Sequence, residues 1–215
     1  MTTLGPTGTS DARRFEGKRK LFLVPLLPVP PGLEESHSSL LDKHWDEIGS
    51  HIENLERTLG TVKHVFHEMI YESGENAETL LQQISSRAWG IVERIVHSSA
   101  TLQKTEDADT VFELTDWQRC MSIGLVSAAA AATIGERYQE ASKKRFAQIS
   151  TNIDEVIGKD ESALILISED HRVQFPTDIQ VFYVSPPTHN ELKQAIQTYF
   201  QEQESPGNQD VEDSS

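Results

Sequence analysis

The chain predicts an α/β domain, with a mostly parallel or mixed sheet of four to five strands covered by amphipathic helices in a three-layer arrangement. Three observations carry this expectation. Short, bounded apolar runs stand at 20–27, 62–71, 163–167 and 179–184. Segments with apolar residues at helical spacing separate most of them, and alternation of strand with helix favours a parallel sheet. Finally, 215 residues at 37% hydrophobic content suffice for one core of ordinary size.

Taken in order, residues 20–27 form an apolar run that ends in Pro28, Pro30 and Pro31, as a buried strand leaving into a rigid loop would. From 33 to 59, Leu41, Trp45, Ile48, Ile52, Leu55 and Leu59 recur in steps of four and three, which predicts one long helix stopped by Gly60. Residues 62–71 are rich in β-branched and aromatic side chains and predict the second strand. A second helix is expected over 76–97, with Leu80, Ile84, Ala88, Ile91 and Ile95 on one stripe, and 98–109 reads as a polar loop.

Residues 110–157 contain no proline and predict two helices broken near Gly124. The second carries Ile134, Tyr138, Ala141, Ile149, Ile153 and Val156 and stops at Gly158. Strands follow at 163–167 and 179–184, with 172–175 as an edge or hairpin strand that Pro176 ends. Thr188-His-Asn-Glu191 has the form of a capping box and opens a last helix to about residue 201. The polar ends, 1–17 and 203–215, are expected to be disordered tails around a single domain over 18–202.

Net charge is −15, and the body shares it: residues 21–200 hold 27 acids against 14 bases. Such a surface repels phosphate backbones, so nucleic acid is an unfavoured partner. Cys120 is the single cysteine, which excludes an intramolecular disulfide and fits a reducing cytoplasm. The apolar run 21–29 is about half of a bilayer-spanning length and is broken by Pro25 and Pro28, and residues 1–17 lack the apolar centre of a signal peptide. No membrane association is expected.

No Gly-x-Gly-x-x-Gly follows a strand, no Gly-x-x-x-x-Gly-Lys-Ser/Thr occurs, and Gly-x-Ser-x-Gly is absent, so the common nucleotide and nucleophile-elbow readings fall away. His37, His44 and His51 are seven apart, a helical rise of about 10.5 Å, too far to share an ion. They read as amphipathic residues at the margin of the apolar stripe. His64-Val-Phe-His67-Glu68 matches no helical zinc signature, and on a strand its two imidazoles point to opposite faces. Cys120 reads as a small buried residue, and Lys143-Lys-Arg145 with Arg137 as a solvated basic face.

What remains is position. His67 and Glu68 stand near the carboxyl end of the second strand, where open α/β sheets hold ligands. With a parallel third strand, Glu169, Asp170, His171 and Arg172 emerge at the same edge, and Ser185 and Thr188 join them beside the start of the last helix, whose N–H groups suit an anion. These eight residues form the candidate polar cleft, for a small-molecule or anionic ligand. No metal site and no particular cofactor is indicated. The leading functional expectation is a cytoplasmic protein that works by association or small-ligand binding, as a homodimer. The alternative is a hydrolase or metal-assisted enzyme using the polar cleft.

Overall fold

The computed structural model describes residues 15–204, so the expected disordered tails fall mostly outside the described residues. Five strands form one all-parallel sheet in the order β3-β2-β4-β1-β5: β1 (Arg19–Leu26), β2 (Val62–His67), β3 (Thr101–Leu102), β4 (Ser162–Ser168) and β5 (Ile179–Tyr183). The predicted three-layer α/β fold is observed. The central strands β1 and β4 read as continuous apolar runs because both sheet faces are covered. Phe22, Val24, Leu164 and Leu166 point into one core, while Leu21, Leu23, Ala163, Ile165 and Ile167 point into the other. Pro25 is tolerated inside β1 for a definable reason. The Leu23 carbonyl accepts from Val184 on the β5 side, so Pro25, two residues on, faces that same side beyond the end of β5.

The helices are α1 (Pro31–Ser36), α2 (Ser38–Leu59), α3 (Glu75–Ile84), α4 (Ser86–Ser98), α5 (Ala108–Ser122), α6 (Ala128–Val156) and α7 (Pro187–Glu204). Right-handed crossovers dictate which face each connection covers. Leaving β1 and β2 the chain moves toward the β3 edge, and α2, α3 and α4 cover one face. Leaving β3 and β4 it moves the opposite way, and the other face is covered by the second half of α6 and by the segment 169–178, through Val173 and Phe175. A third cluster, Leu33, Leu41, Leu192 and Ile196, locks α1 and α7 onto the start of α2. No helix among the described residues is long and apolar enough to cross a membrane.

Several local expectations are corrected. The helix expected over 33–59 is two, broken at His37 (φ −122°, ψ 29°), and that expected over 76–97 is broken at Ser85 (φ −155°, ψ 101°). Apolar periodicity persists across both breaks, because Leu33 of α1 shares a cluster with Leu41 at the start of α2, and α3 and α4 face one core. The second strand stops at His67, where Met69 adopts a left-handed φ of 69° and turns the chain. The loop 98–109 contains the two-residue strand β3, and 172–175 is not a strand but an irregular cover of the sheet. The capping box does not form: Pro187 starts α7 and the Thr188 hydroxyl bonds to α2 instead. Phe15, placed in the tail from the sequence, packs edge-on against Phe182 at 5.1 Å between ring centroids.

Candidate functional site

In an open parallel sheet, a crevice opens wherever neighbouring strands send their exits to opposite faces. Here β4 is flanked on both sides by such neighbours, since β1 and β2 exit to one face and β4 to the other. Two adjoining clefts occupy this carboxyl edge, of about 600 Å³ and about 490 Å³, and they share Leu26, Leu27, Pro28 and Ser168 as a common wall.

The larger cleft is lined on its apolar side by Leu26, Leu27, Leu41, Trp45 and Ile84, and on its polar side by His67, Glu68 and Ser85–Arg87. His67 is fully determined by its surroundings. Its backbone N–H donates to Thr105 Oγ1 at 3.1 Å, and its Nδ1–H donates to the carbonyl of Glu68, which fixes the ring. Nε2 is then left as an acceptor, and it is buried with no hydrogen-bond partner. Burial holds the imidazole below its ordinary pKa, opposed by its bond to the Glu68 carbonyl and by the charges of Glu68 and Glu106. The strained residue Met69 lies beside it, with its N–H held by Glu106 Oε1 at 2.7 Å.

Behind this wall lies a buried ion cluster. Arg145, on α6, donates from Nε to Glu106 Oε2 at 2.6 Å, from Nη2 to Glu106 Oε1 at 2.7 Å and from Nη2 to Glu68 Oε2 at 3.1 Å. Burial disfavours the guanidinium charge, but the two carboxylates outweigh it and raise the pKa. Ser168 Oγ completes the set by donating to Glu68 Oε1 at 2.7 Å. Removing one partner from such a buried set strands the others, which costs about 3–5 kcal/mol in comparable cases.

The start of α4 also lines the larger cleft. Ser85, in extended conformation, caps the helix by accepting from Ala88 N–H at 3.2 Å, and its carbonyl accepts from Trp89 N–H at 3.0 Å. The N–H groups of Ser86 and Arg87 have no intrahelical acceptor. The Arg87 side chain turns outward to Glu34 Oε1 at 2.9 Å and Asp42 Oδ1 at 3.0 Å. Of these charged groups, Glu34, Glu68 and Arg87 line the larger cleft itself, two carboxylates against one guanidinium.

The smaller cleft is lined by Arg145, Glu169, Asp170, His171 and Lys193, with Tyr138 and Gln118 from the α6–α5 side. Lys193 Nζ donates to Glu169 Oε2 at 2.6 Å and, with His189, holds the Glu169 carboxyl below the usual range. The half-buried His171 accepts from Val173 N–H through Nδ1, and burial lowers its pKa. His189 also reaches back to a second buried imidazole, His44, at 5.7 Å between rings.

Of the eight predicted site residues, His67 and Glu68 line the larger cleft, and Glu169, Asp170 and His171 the smaller. Arg172 and Ser185 are exposed and line neither cleft. Thr188 is buried away from both, with its hydroxyl between His44 and Glu47. Of the three spaced histidines, His44 on α2 is core rather than margin, while His37, at the break before α2, and His51 are exposed. Cys120 is half-buried.

Sequence reasoning missed Glu106, Ser168, the α4 start and Arg145. The last had a signal: Ala141, Ile149 and Ile153 imply a buried position at 145, which the neighbouring lysines disguised as part of a basic face. Glu106 had none, being one acid in a polar loop. Among the described residues, no three His, Cys, Asp or Glu side chains gather as metal ligands do. Comparison of the chain with protein-family models, curated proteins and solved structures finds no match.

Proposed function

We propose that the chain binds a small, neutral organic molecule in the larger cleft at the carboxyl edge of β1, β4 and β2. The observation that carries this reading is the Nε2 lone pair of His67, buried in the cleft wall without a partner. A buried acceptor left unmatched is costly, and a ligand hydroxyl or N–H that reached it on a small shift of the cleft wall would remove that cost. The start of α4 lines the same cleft, and the N–H groups of Ser86 and Arg87, without intrahelical acceptors, suit a carbonyl oxygen. The excess of carboxylates over arginines around the cleft disfavours a ligand anion, and the apolar side made by Leu41, Trp45 and Ile84 suits a hydrocarbon portion. The class is therefore a neutral carbonyl compound with one hydrogen-bond donor.

Matched probes test it by calorimetry. We expect 2-hydroxy-2-phenylacetamide to bind about tenfold more tightly than phenylacetamide, which lacks the hydroxyl, since one hydrogen bond is worth about 1.4 kcal/mol. Mandelate, its anionic counterpart, is expected to bind more weakly than the amide, and H67A to erase the preference for the hydroxyl. Equal affinity for all probes, or none, defeats the reading.

Self-association as a homodimer is a second reading, supported by the tip of the α5–α6 hairpin. There Ile123 and Val126 are 73% and 103% exposed and Met121 40%, apolar area that a second copy of the same tip would cover.

A further inference from the structure

The guanidinium of Arg145 is only partly used by the ion cluster that holds it. Nε and Nη2 donate to Glu106 and Glu68, while Nη1 bonds to nothing among the described residues. Although the residue is 8% exposed, Nη1 retains accessible surface, and the space it meets is the smaller cleft, which Arg145 lines. His171 supplies a second donor. Its Nδ1 accepts from Val173 N–H at 3.2 Å, so the neutral ring carries its proton on Nε2, which is also accessible and without a partner. Both side chains stand beside Glu68, which pairs with Arg145 at 3.1 Å and whose charge acts on the His171 ring. Two fixed N–H donors therefore open into one cleft of about 490 Å³.

Charge decides what they can hold. Glu68 and Glu106 already surround the guanidinium, and Glu169 is matched by Lys193 at 2.6 Å. Asp170, exposed on the cleft lining, has no ion-pair partner among the described residues. Four carboxylates thus stand against the two cations Arg145 and Lys193. A ligand anion would place a third carboxylate on one guanidinium, so the oxygen that these donors select is uncharged, and the surplus negative charge favours a cation elsewhere on the ligand. Leu114, Phe146 and Ile196 offer an apolar side for a hydrocarbon portion. We infer that the smaller cleft is a second ligand site, for a small primary amine bearing an uncharged carbonyl and an apolar side chain: the carbonyl oxygen accepts from Arg145 Nη1 and His171 Nε2, and the ammonium pairs with Asp170. This cleft is distinct from the one assigned above, and nothing in its chemistry depends on His67.

Calorimetry on the full chain with four probes tests the class. Leucinamide carries all three features, isocaproamide lacks the ammonium, isoamylamine lacks the carbonyl, and leucine has a carboxylate in place of the amide. Leucinamide is expected to bind about tenfold more tightly than isoamylamine or leucine, and about threefold more tightly than isocaproamide, whose missing partner is the exposed Asp170. Three variants locate the site. S142W fills the cleft from α6, since Ser142 is half-buried and lines the smaller cleft alone. It should weaken leucinamide at least about tenfold and leave 2-hydroxy-2-phenylacetamide, the probe of the larger cleft, unchanged. D170N, at an exposed turn, should weaken leucinamide about threefold and leave isocaproamide unchanged. H171F keeps the ring beside Phe175 but has no donor, and should weaken both amides. D170N decides the matter even where S142W unfolds, because its side chain takes no part in the core. Leucine or a truncated probe bound as tightly as leucinamide, full affinity for leucinamide in S142W or D170N, or no binding of leucinamide overturns the inference and leaves the reading of the larger cleft in place.

Discussion

His44 shows what burial does to one residue. It projects from α2 toward α7, where the Thr188 hydroxyl donates its proton to Glu47 Oε2 at 2.7 Å, so His44 Nδ1–H must be the donor in its own 3.1 Å contact with Thr188. Burial and the neighbouring His189 ring push the His44 pKa down to about 4, with Glu47 opposing. A base with a depressed folded pKa binds its proton more readily in the unfolded chain. Its contribution to stability is therefore complete above the unfolded value of about 6.5 and lost as pH falls toward about 4. The expected loss is about 2–3 kcal/mol after allowing for solvent screening. Urea midpoints between pH 7 and 4 measure it. H44N keeps the donor but cannot titrate, and its stability should fall less over this window; equal slopes contradict the assignment.

At the scale of elements, α6 behaves as two helices in one. Its second half lies on the sheet, with Ile149 and Ile153 fully buried, whereas its first half packs only beside α5 and leaves Ile134 partly exposed. Helical propensity in the alanine run 128–132 sustains the first half without a core. The same truncation then has unequal costs. I149A should destabilise by about 2–4 kcal/mol through cavity formation, and I134A by less than about 1 kcal/mol. Chemical denaturation of the two variants checks this, and similar values would show that the hairpin is one cooperative unit with the core. The break between α3 and α4 is the second feature at this scale: in an unbroken helix the N–H groups of Ser86 and Arg87 would be paired.

At the scale of the molecule, the direction of each crossover places the clefts at the carboxyl edge, and the net charge bears on association. A chain with net charge −15 repels its own copies at long range, so association requires a local apolar surface. The hairpin tip supplies one, and the homodimer reading predicts a light-scattering mass of two chains that falls to one in the double variant I123E/V126E. A concentration-independent mass of one chain in the parent protein removes that reading.

Much of the architecture was legible because it is written in periodicity. Apolar runs such as 20–27 and 163–167 identify strands buried on both faces, and Gly60 and Gly124 mark stops, since burial and backbone conformation act locally on the residues that carry them. The site was legible only by position: His67 and Glu68 stand at a strand end, and nothing in their neighbours says what lies opposite. Arg145 and Glu106 are 39 residues apart, and Ser85 belongs to a stripe that looks continuous, so their roles depend on chain order across the sheet. By itself the sequence determined an acidic, layered α/β chain. Which strands neighbour β4, and so which loops meet in a crevice, was decided by the tertiary structure, because handed crossovers and buried ion pairs join residues with no local signal of one another.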